Sequence, residues 1–175
     1  MATRFYIEST GSAAFDTLAF SAYWDSVTGT HYHYPSSTTK GGSANAARAV
    51  AWATGKIAAV QLVSEQRGAF NFTTAQTLKF QIRANSDSGV GVYLAVSIRV
   101  VSSDGGTVRG TLYEGAGPTV IPSASNSNRS LGSGGAAVNL QNNVSMSNGD
   151  RIICEIGQSS TGATGSSYFC GSDSG

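Results

Sequence analysis

TLKFQIRANSDSGVGVYLAVSIRVVSSDGGTVRGTLYE, residues 77–114, decides the fold class. Leu78, Phe80, Ile82 and Ala84 alternate with Lys79, Gln81 and Arg83, and Val92, Leu94, Val96, Ile98 and Val100 alternate with Tyr93, Ala95, Ser97 and Arg99. Successive side chains on a strand point to opposite faces, so this period of two places one set in a core and the other in water. Asn85 to Gly89 and Ser102 to Gly106 carry the Asn, Ser, Asp and Gly that tolerate turn geometry. The stretch predicts an antiparallel meander covering one side of a sandwich or barrel.

Working outward, RFYI (4–7) predicts a short first strand. ARAVAWAT (47–54) and IAAVQLVSEQ (57–66) predict a hairpin turning at Gly55 and Lys56. AAVNLQNNVSM (136–146) is strand-like, SNGD (147–150) is a turn, and RIICEIG (151–157) alternates Ile152, Cys154 and Ile156 against Arg151, Ile153 and Glu155. That pattern directs Glu155 outward, where a charge is ordinarily solvated. Residues 115–135 are rich in Ser, Gly and Asn and read as a loop with one extended piece at Val120 and Ile121. No long amphipathic pattern is present. The fold class is therefore all-β: an antiparallel β-sandwich, jelly-roll-like, expected as a single domain over 1–175 with its main body in 46–175.

Residues 8–45 break the pattern. Phe15, Phe20, Tyr23, Trp24, Tyr32 and Tyr34 occur at irregular spacing among Ser, Thr and Gly, and neither strand nor helix periodicity persists. Flexible linkers do not carry such rings. The segment is expected to be a long ordered excursion whose aromatics bury against the protein's own core or against a neighbouring subunit, which makes these six residues the interface candidates.

Composition excludes several function classes. At 175 residues the chain can bury roughly 70% of its unfolded surface without metals or many disulfides. A net charge of +1, with 12% charged residues and no basic block, argues against a nucleic-acid partner. No apolar run approaches the ~20 residues that span a bilayer, and the opening MATRFYIESTG has no apolar signal core, so synthesis in a cytoplasm without membrane association is the expectation. If RIICEIG and SSYFC (166–170) form a hairpin centred near Gly162, Cys154 stands opposite Cys170 within the ~4.4–6.8 Å that a disulfide requires. The alternative is two buried thiols.

The chain offers little chemistry. Its two histidines, His31 and His33, lie two apart and would face one side of an extended chain, but no third metal ligand has suitable spacing. No G-x-S-x-G elbow occurs, and no carboxylate pair stands out for glycoside hydrolysis. The glycine-rich 131–135 lacks the lysine of a phosphate loop. No enzyme, cofactor or metal is expected. A glycan site remains as the alternative, with Tyr23, Trp24, Tyr32, Tyr34 and Trp52 as stacking candidates.

ATRFYIESTGSAAFDTLAFSAYWD at the start, IRVVSSDGGTVRGTLYE in the middle and GDRIICEIG near the end resemble a group of small structural proteins of tailed bacteriophages. The resemblance covers nearly the whole chain in separated patches. It implies a virion component, either a capsid decoration protein or a tail-associated subunit, that contacts other virion proteins as a homo-oligomer. It carries no catalytic residues. Relatives tend to continue into an acidic, proline-containing tail, which FCGSDSG does not.

Overall fold

Strands joined by tight turns need not share a sheet, and in this protein most do not. The computed structural model describes residues 6–7, 18–37, 47–52, 54–87, 91–121, 127–162 and 165–170; at 6–7, 28–35, 37, 47–52 and 165–170 it describes the backbone alone. The strands are β1 (Tyr6–Ile7), β2 (Ser26–Ser37), β3 (Ala47–Trp52), β4 (Gly55–Ser64), β5 (Phe70–Phe72), β6 (Thr77–Leu78), β7 (Gln81–Ser86), β8 (Val92–Val101), β9 (Val108–Val120), β10 (Ser127–Ser130), β11 (Val138–Asn139), β12 (Val144–Met146), β13 (Arg151–Ser160) and β14 (Gly165–Cys170). Among the described residues a single 3-10 turn, Ser133–Gly135, interrupts them.

One sheet runs β1-β2-β4-β13-β8-β9 and the other β10-β7-β14-β3; two small ladders, β11-β6 and β12-β5, flank them. Leaving aside β1, β2 and the small ladders, eight strands form two four-stranded sheets. From β3 onward the chain changes sheet at every step except β8 to β9. Eight antiparallel strands wound in this order make a jelly roll, and the all-β sandwich expected from the alternation is the fold.

The winding corrects the local readings. β8 and β9 form the expected hairpin, but β7 belongs to the opposite sheet, so 77–114 is not a three-stranded meander. β3 and β4 are likewise in different sheets, the crossing made at Gly55, whose φ of 114° suits glycine. The hairpin expected to oppose Cys154 and Cys170 does not form. Cys154 pairs in register with Leu62 and Ile98, while Cys170 pairs with Ala47 and Arg83 in the other sheet. Cys154 is a free thiol. The reason is common to all three: a turn signal marks where a strand ends, whereas the sheet it next joins is set by which apolar faces must meet.

The supposed loop 115–135 carries the end of β9 and all of β10, and 136–146 divides into β11 and β12. The excursion 8–45 contains β2, twelve residues long, which pairs with β4 in parallel.

The main core lies between the two sheets. Val92, Leu94, Val96, Ile98 and Val100 of β8 pack with Ile82 and Ala84 of β7, Ile57 and Leu62 of β4, Ile156 of β13, and Leu131 and Leu140, with Ile152 and Cys154 against the cluster. Ile156 faces Val60 and Gly157 faces Ala58, so Ala59 is an extra residue, and both Ala59 and Val60 join the core. Turn carboxylates act as expected: Asp104 Oδ1 accepts from the Gly106 N–H at 3.0 Å, and Asp150 Oδ2 accepts from the Ser147 N–H at 2.8 Å.

The edge at β9 is closed by amides rather than by another long strand. Gln141 donates its backbone N–H to Leu112 O at 2.9 Å; its side chain takes the Glu114 N–H and returns an N–H to Glu114 O, both at 2.8 Å. An occupied edge offers no template for strand addition there.

Candidate functional site

The outer face of the six-stranded sheet, which alternation assigns to solvent, is covered by residues 18–25. Registered pairing arranges this face in rows. Ala95, Gly157 and Ala58 lie side by side on β8, β13 and β4; Ser97, Glu155 and Gln61 form the next row; Arg99, Ile153 and Val63 form the third. Each row is met by a different part of the strap.

On the first row sits Trp24, 8% exposed, packed with Ala58 and Ala95 and flanked by Phe20 and Tyr23. Gly157 makes this seat. A Cβ there would lie 2.0 Å from Ile57 O and 2.8 Å from Trp24 Cζ3, so a side chain at 157 and the ring cannot coexist without displacement. Tyr23 meets Trp24 edge-on at 5.1 Å, and Lys56 Nζ lies 4.4 Å from the Tyr23 ring centre. Burial, with the neighbouring Glu114 charge, pushes the Tyr23 phenol up to about 12.

The second row supplies polar anchors. Glu155 is wholly buried. Its carboxylate accepts from Trp24 Nε1 at 2.8 Å, from the Ser21 N–H at 3.0 Å, from Gln61 Nε2 at 2.9 Å and from Arg99 Nη2 at 2.5 Å. Ser21 also donates its hydroxyl to Glu114 Oε1 at 2.6 Å, which Ser97 Oγ reaches at 3.2 Å. Arg99 donates further to the Ala19 carbonyl, and Gln61 to the Leu18 carbonyl at 3.3 Å. Polar groups withdrawn from water are costly unless hydrogen-bonded; here sheet and strap supply each other's partners, except that the buried Arg99 Nε has none.

Beside Arg99, the third row is apolar. Leu18 packs on Val63, Val101 and Ile153, all buried. Beyond Trp24, Asp25 closes the strap. Its N–H donates to Lys56 O at 2.9 Å, and its Oδ2 accepts the Lys56 N–H at 2.7 Å.

Two expectations change here. Glu155 is the most enclosed charge on this face rather than a solvated one, because the strap and Arg99 replace water. Trp24 is spent inside its own chain, ring and N–H alike, so it is not an exposed docking or sugar-stacking surface. Phe20 and Tyr23 are half-buried beside it. Phe15 lies outside the described residues, as do the side chains of Tyr32, Tyr34, His31, His33 and Trp52. In register, the backbone of His33 on β2 pairs with Gln61.

Sequence reasoning missed Arg99, Gln61, Glu155 and Gly157 as a group. The available signal was the run of small outward residues, Ala58, Ala95 and Gly157, which implies that something packs on them. Glu114 and Glu155 do come together, one on each side of Ser97. The strap covers Glu155 and Arg99 binds it, which closes that carboxylate, while Glu114 is half-buried with its Oε1 held by Ser21 and Ser97. Among the described residues, no group of three His, Cys, Asp or Glu converges as for a metal ion. The Cys154 thiol is pushed up by burial and by the adjacent Glu155 charge, the opposite of an activated nucleophile.

No protein-family model and no curated protein matches the sequence. Among solved structures, a chain of the infectious bursal disease virus Gt strain is similar over 73% of this chain and 29% of its own, with 13% identity and a TM-score of 0.35. A chain of the Gx strain is similar over 70% of this chain and 32% of its own, with 10% identity and a TM-score of 0.27. The chain thus spans about a third of the length of these viral chains. At such identity and overlap the likenesses carry no functional argument.

Proposed function

We propose that this chain is a structural component of a tailed-phage virion, a capsid decoration or tail-associated subunit that works by protein–protein packing as a homo-oligomer and catalyses no reaction. The sealed outer face carries the reading. The richest cluster of polar side chains in the described protein is consumed in fixing the chain's own leader to its own sheet, which suits a rigid scaffold. The resemblance of the opening, central and late motifs to small phage structural proteins supports the virion assignment. Phe70 and Val108, 48% and 51% exposed, offer apolar surface for neighbours. The glycan reading loses its foremost candidate with Trp24 buried.

Purified virions of the phage that encodes the chain, banded by density and analysed by mass spectrometry, should contain it at a fixed stoichiometry. Purified protein should also co-sediment with capsids or with tails. Its absence from banded virions defeats the proposal.

A further inference from the structure

One asparagine of the chain precedes a glycine: Asn148, in the turn Ser147–Asp150 between β12 and β13. The peptide nitrogen that follows an asparagine can add to that asparagine's side-chain carbonyl, and a glycine nitrogen, unscreened by a Cβ, does so most readily. Asn148 is exposed, and its side-chain amide makes no hydrogen bond among the described residues. The surroundings of Gly149 are open as well. A Cβ added there would meet Ser103 Cβ at 3.8 Å, an ordinary contact.

The attacking nitrogen is held elsewhere in the fold. Gly149 donates its N–H to Arg67 O at 2.8 Å, and Arg67 donates its own N–H to Asp150 O at 2.8 Å, a reciprocal pair that pins the turn to the segment after β4. Asp150 N–H closes the turn on Ser147 O at 3.1 Å, and Asp150 Oδ2 accepts the Ser147 N–H at 2.8 Å. Gly149 has a φ of 90°, the left-handed conformation that the third residue of a type II turn requires. Ring closure needs the Gly149 nitrogen to lose its proton and swing onto Asn148 Cγ. The bond to Arg67 opposes both, so reaction waits on a local opening of the turn.

We propose that Asn148 is a self-modification site gated by this turn. In the opened turn the Gly149 nitrogen gives its proton to water or hydroxide and bonds to Asn148 Cγ. The Cγ–Nδ2 bond breaks, and ammonia leaves after taking up a proton from solvent. Water then opens the five-membered imide at either carbonyl, leaving aspartate or isoaspartate at position 148, with no oxidation or reduction at any step. Isoaspartate makes the backbone one atom longer between 148 and 149. The Ser147–Asp150 turn and the Gly149–Arg67 bond then no longer fit one geometry. The change is one-way and marks chains that have opened at this end of the sandwich. It stands or falls independently of the virion reading.

The test holds full-length chains in alkaline buffer, folded or unfolded in urea, and follows intact mass together with isoaspartate by peptide mapping. The unfolded chain should gain one mass unit, mapped to residue 148 ahead of every other asparagine, and the folded chain should gain it at least about tenfold more slowly. A first gain at another asparagine overturns the site, and equal rates in the two states overturn the gate. Asn148→Gln should abolish the early gain in urea; a gain that persists unchanged overturns the proposal equally. After refolding, the isoaspartyl chain should melt below Asn148→Asp, which carries the same charge without the extra backbone atom. Equal melting of the two would show that the lesion leaves the turn intact and would overturn its role as a mark of opening.

Discussion

Trp24 and Glu155 lie 131 residues apart in sequence and meet through a 2.8 Å hydrogen bond from the indole N–H to the carboxylate, on the sheet face turned away from the main core. The contact couples an apolar event to a polar one. The ring needs the flat floor that Ala95, Gly157 and Ala58 provide, and the carboxylate needs the donors that the strap brings. Arg99 supplies the countercharge, 2.5 Å from Glu155 Oε1. Removing any one of these leaves the others buried without their partners.

Glu155→Ala should therefore be among the most damaging single substitutions. It strands the Arg99 guanidinium, and breaking a buried pair from one side costs about 3–5 kcal/mol. Glu155→Leu combined with Arg99→Met should recover at least half of that loss but not all, because the Trp24 and Ser21 N–H groups still lack an acceptor. Urea denaturation of the single and double variants measures the coupling. Simple additivity of the two single changes would refute it.

Gly157→Ala should unseat Trp24. Its Cβ would meet the Ile57 carbonyl at 2.0 Å, a contact with backbone that no rotamer change relieves. A loss of about 1–3 kcal/mol is expected for such overpacking. In a Trp52→Phe background, Trp24 emission should shift to the red in native buffer. Unchanged emission would mean that the ring does not rest on residue 157.

Gln158 predicts the opposite sign. Its side chain is fully buried on β13, and neither Nε2 nor Oε1 has a hydrogen-bond partner. An unsatisfied buried polar group costs about 1–3 kcal/mol. Gln158→Met keeps the volume and removes both orphan atoms, so the melting temperature should rise by roughly 2–4 °C per kcal/mol gained in a chain of this size. A lowered melting temperature would show that the amide has a partner in solution.

Asp150 should impose an acid limit on stability. Burial raises its carboxyl, but the Ser147 N–H and the Arg109 guanidinium outweigh burial and hold it below the usual carboxylate range. A depressed folded-state pKa gives stability that is present above the unfolded value, near 3.9, and is lost as pH falls through the folded one. Stability measured by denaturant from pH 6 to pH 2 should decline at the acid end. Asp150→Asn should flatten that decline, and an identical profile in the variant would assign the acid loss to other groups.

The alternation in Val92 to Val100 and in Ile152 to Ile156 was enough to identify β8, β13 and the residues they direct into the core, because side-chain direction on a strand is a local property of the backbone. Turn composition placed most strand ends for the same reason. It could not choose a sheet: β3 to β4 and β13 to β14 look like hairpins in sequence and cross the sandwich in space, since that choice depends on the burial of both sheets at once. β2 escaped notice because its pairing with β4 is parallel and its residues follow no period.

The candidate site was legible only in fragments. Trp24 was singled out as an aromatic needing a surface, and the surface turned out to be its own sheet. By itself the sequence determined the all-β class and, in the regularly alternating strands β8 and β13, which residues face the core, because both follow from a two-residue repeat. Only the tertiary structure decided that Glu155 and Arg99 are interior groups, because an outward charge is solvated or buried according to what a distant part of the chain, 131 residues away for Glu155 and 80 for Arg99, lays across it.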